Sequence, residues 1–211
     1  DMIFYGLNDM VRAGCQDCQD CSACCRGMGQ SVILNPYDVF LMTTNLDLPL
    51  EKMIGDKLEL HVEDGIILPN MKMTGEEETC VFLDKEGRCS IHSFRPGICR
   101  LFPLGRDYSG DGIRYFLLEE GCKKENRTKV KVRKWLDTDD IKKNEDFLMC
   151  WHVFLKTVRK KMGDVKDEAF SKKADLYVLE NFFFLPYKGK SDDFYSQFYK
   201  RIEKGKTDLK L

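Results

Sequence analysis

Five cysteines fall within eleven residues in the stretch "GCQDCQDCSACCR", Gly14 to Arg26. Cys15, Cys18, Cys21 and Cys24 recur at every third position, and Cys25 follows Cys24 directly. A C-x2-C step bends the chain so that two thiolates converge on one cation, a spacing that serves both tetrahedral zinc sites and iron-sulfur clusters. The residues between the sulfurs are small or polar, which suits a turn wrapped around an ion and leaves no apolar stripe of the kind a helix buries. Adjacent cysteines can be linked to each other only through a strained ring and approach a single tetrahedral ion awkwardly. Cys24 and Cys25 are therefore expected to serve two sites, or one polynuclear cluster and one further ligand.

Partners for these sulfurs lie further along the chain. Cys80, Cys89, Cys99 and Cys122 join Cys18, Cys21, Cys24 and Cys25 to make eight thiols, enough for two four-cysteine sites, with Cys15 a spare or alternative ligand. A chain of 211 residues buries a core without staples. Its ten cysteines are also too dilute for a disulfide scaffold. With 33% charged residues the composition reads as cytoplasmic, where clustered cysteines point to metal binding or catalysis rather than to cross-links.

Charge and hydropathy exclude other classes. The 34 basic and 35 acidic residues give a formal net charge of -1, so no global field draws the chain to nucleic acid or to an anionic membrane. The apolar runs "ENFFFLPY" and "FLMCWHVFL" are too short to span a bilayer, and "DMIFYGLNDM" lacks a basic n-region followed by an apolar h-region. No G-x-G-x-x-G, P-loop, H-E-x-x-H or G-x-S-x-G pattern occurs, so nucleotide-dependent and hydrolytic schemes lack their usual handles. The basic segment "KKENRTKVKVRK" gives way at once to "DTDD" and reads as a solvated face.

Local signals predict an α+β fold: an irregular cysteine-rich domain of short strands and hairpins around the metal sites, followed by a helical C-terminal half. Nine of the ten cysteines precede residue 123, which sets the expected division at 1–125 for the metal-binding domain and 126–211 for a helical region packed on it. Asn35 and Pro36 open a short helix. Asp64-Gly65 closes a hairpin between "KLELHVE" and "IILPNM". Gly87 turns a second one in "CVFLDKEGRCSI", and "GIRYFLLEE" is β-prone. Helices are predicted over "RTKVKVRKWLDT", from Thr138 to a stop at Gly163, over "DEAFSKKADLYVLENFFF", and from Ser191 as N-cap to Gly205. His61 is expected to be exposed on its strand, and Cys150 to be a buried small hydrophobe.

The segments "CQDCSACCR" and "CVFLDKEGRCSIHSFRPGICRLFPLG" together resemble the CxxCxxCC family of zinc- or iron-chelating proteins, also called YkgJ-like cysteine cluster proteins. The likeness covers roughly residues 15 to 122 and rests on the opening cysteine run, the C-x-x-L-D-x-x-G-x-C hairpin and the R-P-x-x-C-R-x-F-P segment. It implies metal ligation by Cys18, Cys21, Cys24, Cys25, Cys80, Cys89, Cys99 and Cys122. The cysteine-rich region is also similar to that of flagellin lysine N-methylases, which implies a protein or peptide substrate. His92 follows Cys89 at C-x2-H spacing, yet the family's tolerance of tyrosine there implies that it is no obligatory ligand.

Two four-thiolate sites would each carry a charge of roughly −2, and burying such charge calls for nearby cations. Arg95 and Arg100 are the candidates to supply them, with Arg26 beside the cluster and Arg106 beyond, and Phe94, Leu101, Phe102 and Pro103 could form an apolar shell. The C-x2-C run is closer to ferredoxin spacing than to paired zinc knuckles, favouring a 4Fe-4S cluster or iron and redox chemistry or protein modification, methylation included. The alternative is a structural Zn²⁺ module that binds another protein. Reaction and oligomeric state stay open at this level.

Overall fold

The computed structural model describes residues 2–15 and 21–211, so Cys18 lies outside the described residues. It is a mixed α and β structure of short strands and helices, with the helices gathered towards the C-terminus. Two compact units interleave along the chain: the first comprises Asp1–Val32 and Met71–Met149, the second Ile33–Asn70 and Cys150–Leu211.

In the first unit, β1 (Phe4–Tyr5), β8 (Arg114–Leu117) and β7 (Leu104–Asp107) form an antiparallel sheet in the order β1-β8-β7. Strand β2 (Met10–Gly14) pairs antiparallel with β9 (Thr128–Lys131), and its alternation buries Val11 and Ala13. Those two side chains meet Leu101, Leu104, Tyr115, Val132 and Leu136 in one apolar core, to which α3 (Gly97–Leu101) and α4 (Val132–Leu136) contribute. The helix expected across "RTKVKVRKWLDT" begins only at Val132. Thr128–Lys131 alternates β-branched and charged residues and is captured as a strand by β2, so tertiary pairing overrides the helical reading.

The cysteine-bearing part of the same unit is held differently. A 3-10 turn at Ala23–Cys25, the tiny hairpin β5 (Met73–Thr74) with β6 (Thr79–Cys80), and a turn closed by Gly87 at φ 74° follow one another. Between Lys72 and Arg95 the buried apolar side chains are Phe82 and Ile91. Burial on that scale does not define a fold, so the local order rests on turns and hydrogen bonds.

The second unit carries an aromatic core. Helix α1 (Pro36–Leu46) begins where Asn35 and Asp38 cap each other's backbone N–H, with Pro36 at the first helical position as expected. The Asp64-Gly65 turn joins β3 (Leu58–Glu63) to β4 (Ile66–Met71), with both turn residues at positive φ, as a two-residue hairpin demands. Helix α2 (Leu50–Met53) is a single turn. Helix α5 (Ile141–Val165) spans the division between the units, which falls after Met149. It starts at Ile141, with the Asp140 carbonyl accepting from Asn144 N–H, rather than at Thr138, and it runs past Gly163.

Helix α6 (Glu168–Val178) loosens into a π-helical stretch, Leu179–Phe184, before α7 (Ser191–Asp208). Trp151 and Phe154 each lie 5.1 Å from Phe182 between ring centroids, and Phe194 stacks on Phe40 at 5.2 Å. Gly205 does not end α7: it sits inside the helix because the Phe154 ring packs against it, where a Cβ would meet that ring at 3.1 Å. Arg201 secures the π-helical stretch, donating to the carbonyls of Asn181, Leu185 and Pro186 while its guanidinium lies 3.7 Å over the Tyr187 ring.

His61 is the clearest departure in this unit. Its side chain is only 9% exposed; Nδ1 bonds the Asn70 amide oxygen at 2.8 Å and Nε2 faces Glu63 at 3.4 Å. The alternation expected to expose it is overridden by Asn70, a fully buried amide that needs a partner.

Candidate metal centre

The 3-10 turn at Ala23–Cys25 places two sulfurs side by side, and Arg26 ties that turn to the β5-β6 hairpin. Its Nη1 donates to Glu77 at 2.7 Å and to Thr79 Oγ1 at 2.9 Å, while Gly27 N–H reaches the carbonyls of Glu77 and Glu78. The backbone of Arg26 also bridges to Thr79, next to Cys80. A charged side chain expected near the sulfurs is thus spent on docking their segment.

Cys80 and Cys89 occupy two similar corners. The Cys80 sulfur accepts from the backbone N–H of Phe82, and the Cys89 sulfur from that of Ile91, each two residues ahead. Such N–H···S bonds favour the thiolate and orient it. A bridge between Leu83 and Cys89, with Ser90 N–H donating to the Phe82 carbonyl, joins the two corners.

These elements bring Cys24, Cys25, Cys80 and Cys89 into one electrostatic group. The Cys25 thiol donates to the Cys24 sulfur, which lowers Cys24 to about 7 against opposing burial, with a smaller contribution from Arg95. Cys25 is pushed the other way, first by that hydrogen bond, then by burial and by the Cys24, Cys80 and Cys89 charges. Burial raises Cys80 and Cys89, and Arg95 offsets part of the rise at Cys89. All four are half-buried. Both members of the adjacent pair are therefore coupled electrostatically to the same two sulfurs.

The other expected ligands are carried by further segments of the first unit. Cys15 is buried at the end of β2, Cys21 precedes the 3-10 turn, Cys99 lies in α3 and Cys122 follows the turn after β8. The described cysteines are thiols rather than disulfides. Arg100 turns to the carbonyls of Ser93 and Asp137, the latter at 2.9 Å, linking α3 to the end of α4. Arg106 lies beside Tyr115. Cys150 is half-buried in α5 near Lys206 and Glu203.

Four thiols, two of them with oriented N–H···S bonds, and one arginine form a soft donor set suited to zinc or iron. Among the described residues no three His, Cys, Asp or Glu side chains are already posed around a metal position. The sequence signal that finds this group is the C-x-x-L-D-x-x-G-x-C hairpin, which sets Cys80 and Cys89 on opposite arms of one turn.

The arrangement agrees with the comparison to known families. The family described as "CxxCxxCC: Putative zinc- or iron-chelating domain" matches residues 17–129, more than half of the chain, and the protein belongs to that family. The family's description thus supports metal binding in general. No curated protein and no solved structure matches it significantly. Among the described residues no helix is long and apolar enough to cross a membrane.

Proposed function

We propose that Cys24, Cys25, Cys80 and Cys89 hold a polynuclear iron-sulfur centre that serves redox chemistry or the modification of a protein or peptide, methylation included. The observation that carries this reading is the shared environment of Cys24 and Cys25. Adjacent sulfurs crowd a single tetrahedral ion, whereas a cluster offers several metal atoms to neighbouring ligands. A bound cluster would supply electron transfer. The protein's own residues would orient the sulfurs through the Phe82 and Ile91 N–H groups and place a positive charge beside them. Cys18, Cys21, Cys99 and Cys122 are candidates for a second site.

A structural zinc module is the second reading, favoured by the scarcity of buried apolar side chains between Lys72 and Arg95. Purification without oxygen, followed by the visible spectrum and assays for iron, zinc and acid-labile sulfide, separates the two. Broad brown absorption with iron and sulfide is the expected result. A colourless protein with stoichiometric zinc and no sulfide overturns the cluster.

A further inference from the structure

The two arginines of "SFRPGICR" play unequal parts. Arg100 is committed to the carbonyls of Ser93 and Asp137, a link between α3 and α4. Arg95 ends the 3-10 turn His92–Phe94, and its charge acts on both Cys24 and Cys89. That turn hangs from the metal-binding corner itself, because His92 N–H donates to the Cys89 carbonyl at 3.2 Å. The Arg95 Nη1 lies 2.7 Å from His92 Nε2 and donates to the His92 carbonyl at 2.9 Å. The imidazole and the guanidinium thus form one unit, three residues beyond a candidate ligand.

We infer that Arg95 is the fixed cation of the four-thiol centre and that His92 is a positioning residue that holds it there, not a metal ligand. The inference rests on the reading of that group as the metal site. Its chemistry is that of charge compensation. Four thiolates around zinc or an oxidised cluster leave a net charge of roughly −2, and a guanidinium fixed on the turn that hangs from Cys89 offsets about half of it. An arginine with several rotatable bonds does this only if something fixes it, and the His92 ring and carbonyl together do so. The C-x2-H spacing that makes His92 resemble a ligand is then the spacing that puts its ring under Arg95.

The test uses the full-length protein with Zn²⁺ as a probe of the donor set, titrated at fixed pH against a competing chromophoric chelator. Arg95→Met is expected to weaken zinc binding about 10- to 100-fold, the range for losing a partner of a metal ligand. Arg95→Lys restores part of the loss because it restores charge without the fork. His92→Leu costs less than Arg95→Met in the wild-type background and nothing further once Arg95 is methionine, since a positioning residue has no role when its cation is gone. Arg100→Met leaves affinity within about twofold while lowering thermal stability.

A His92→Leu loss as large in the Arg95→Met background as in the wild type would make His92 a ligand and overturn the proposal. So would equal affinity of Arg95→Met and wild type. That result leaves the metal site standing, whereas a wild-type protein that takes up no zinc removes the site and this inference with it. Should Arg95→Met fail to fold, the contrast of Arg95→Lys and His92→Leu, singly and together, carries the same decision.

Discussion

The two units of this protein solve the problem of holding a chain in place by different means. In the second, rings from α1, α5, the π-helical stretch and α7 pack at centroid distances near 5 Å, and Phe182, Phe194 and Phe198 are fully buried. Each such ring removes a large apolar area from water, and this suffices for stability. In the first, the segments that carry Cys24, Cys25, Cys80 and Cys89 bury Phe82 and Ile91 and otherwise rely on tight turns and the Arg26 clamp. The difference teaches that cysteines here stand where a core is missing. A protein can place a reactive, half-exposed centre on such a segment when a separate unit carries its own apolar core.

Removing the metal should break the comparison most severely. Structural metal sites contribute roughly 10 kcal/mol or more of apparent folding free energy, so chelation is expected to loosen the first unit and spare the second. The chain supplies its own reporters, since Trp135 lies in the first unit and Trp151 in the aromatic core of the second. In Trp151→Phe protein, denaturant unfolding followed at Trp135 should shift to lower midpoint on chelation. In Trp135→Phe protein the Trp151 signal should not move, and equal shifts would show that both units depend on metal.

Phe182→Ala attacks the comparison from the other side. Deleting a fully buried ring costs about 3–5 kcal/mol, so the Trp151 transition should collapse while metal content per protein stays at the wild-type value. Loss of metal in that variant would mean that the aromatic core supports the thiol group after all.

How much of this was readable from the amino acids alone follows the same divide. Signals that act within a few residues were legible: the Asn35-Pro36 helix start and the Asp64-Gly65 hairpin both follow from local backbone chemistry. Three readings failed where a distant partner decides. Thr128–Lys131 is a strand because β2 is available to pair with it, Gly205 is helical because the Phe154 ring needs its missing Cβ, and the His61 side chain is largely covered because Asn70 needs a partner. Metal chelation was legible because cysteine spacing is itself a local signal. Cys80 and Cys89 were named among the expected partners of Cys24 and Cys25, but how eight thiols divide was not legible, because the docking of their segments depends on the Arg26 clamp across 53 residues.

Protons and metal compete for these sulfurs, which gives a prediction of intermediate size. Cys25, Cys80 and Cys89 are all raised above the usual thiol value of 9.0, so near neutrality they hold protons that metal must displace. Metal binding is therefore favoured as pH rises and weakened as it falls. Apparent zinc affinity should drop at least tenfold for each unit lowered between about pH 8 and pH 6, with matching proton release in calorimetry across two buffers. A flat profile would mean that the thiols are already ionised and that their burial has been overstated.

The smallest effect concerns Tyr115, which is 1% exposed in the apolar core of the first unit and donates to Glu145 at 2.8 Å. Burial, then the Glu145 charge, raises its phenol above the ordinary value of 10.0, against a weaker pull from Arg106. A raised value in the folded state means that the stabilising contribution is complete below pH 10 and declines as pH climbs from there toward the folded value. Tyr115→Phe should cost about 1 kcal/mol at neutral pH through the lost hydrogen bond. It should also flatten the alkaline decline of the metal-loaded protein followed at Trp135. Tyr187 is likewise raised by burial in the second unit, with Arg201 opposing, so Tyr187→Phe should flatten the decline seen at Trp151 instead. If each substitution altered both signals equally, the two units would unfold as one, and the contrast between a thiol-bearing segment and an aromatic core would describe their composition without separating their stability.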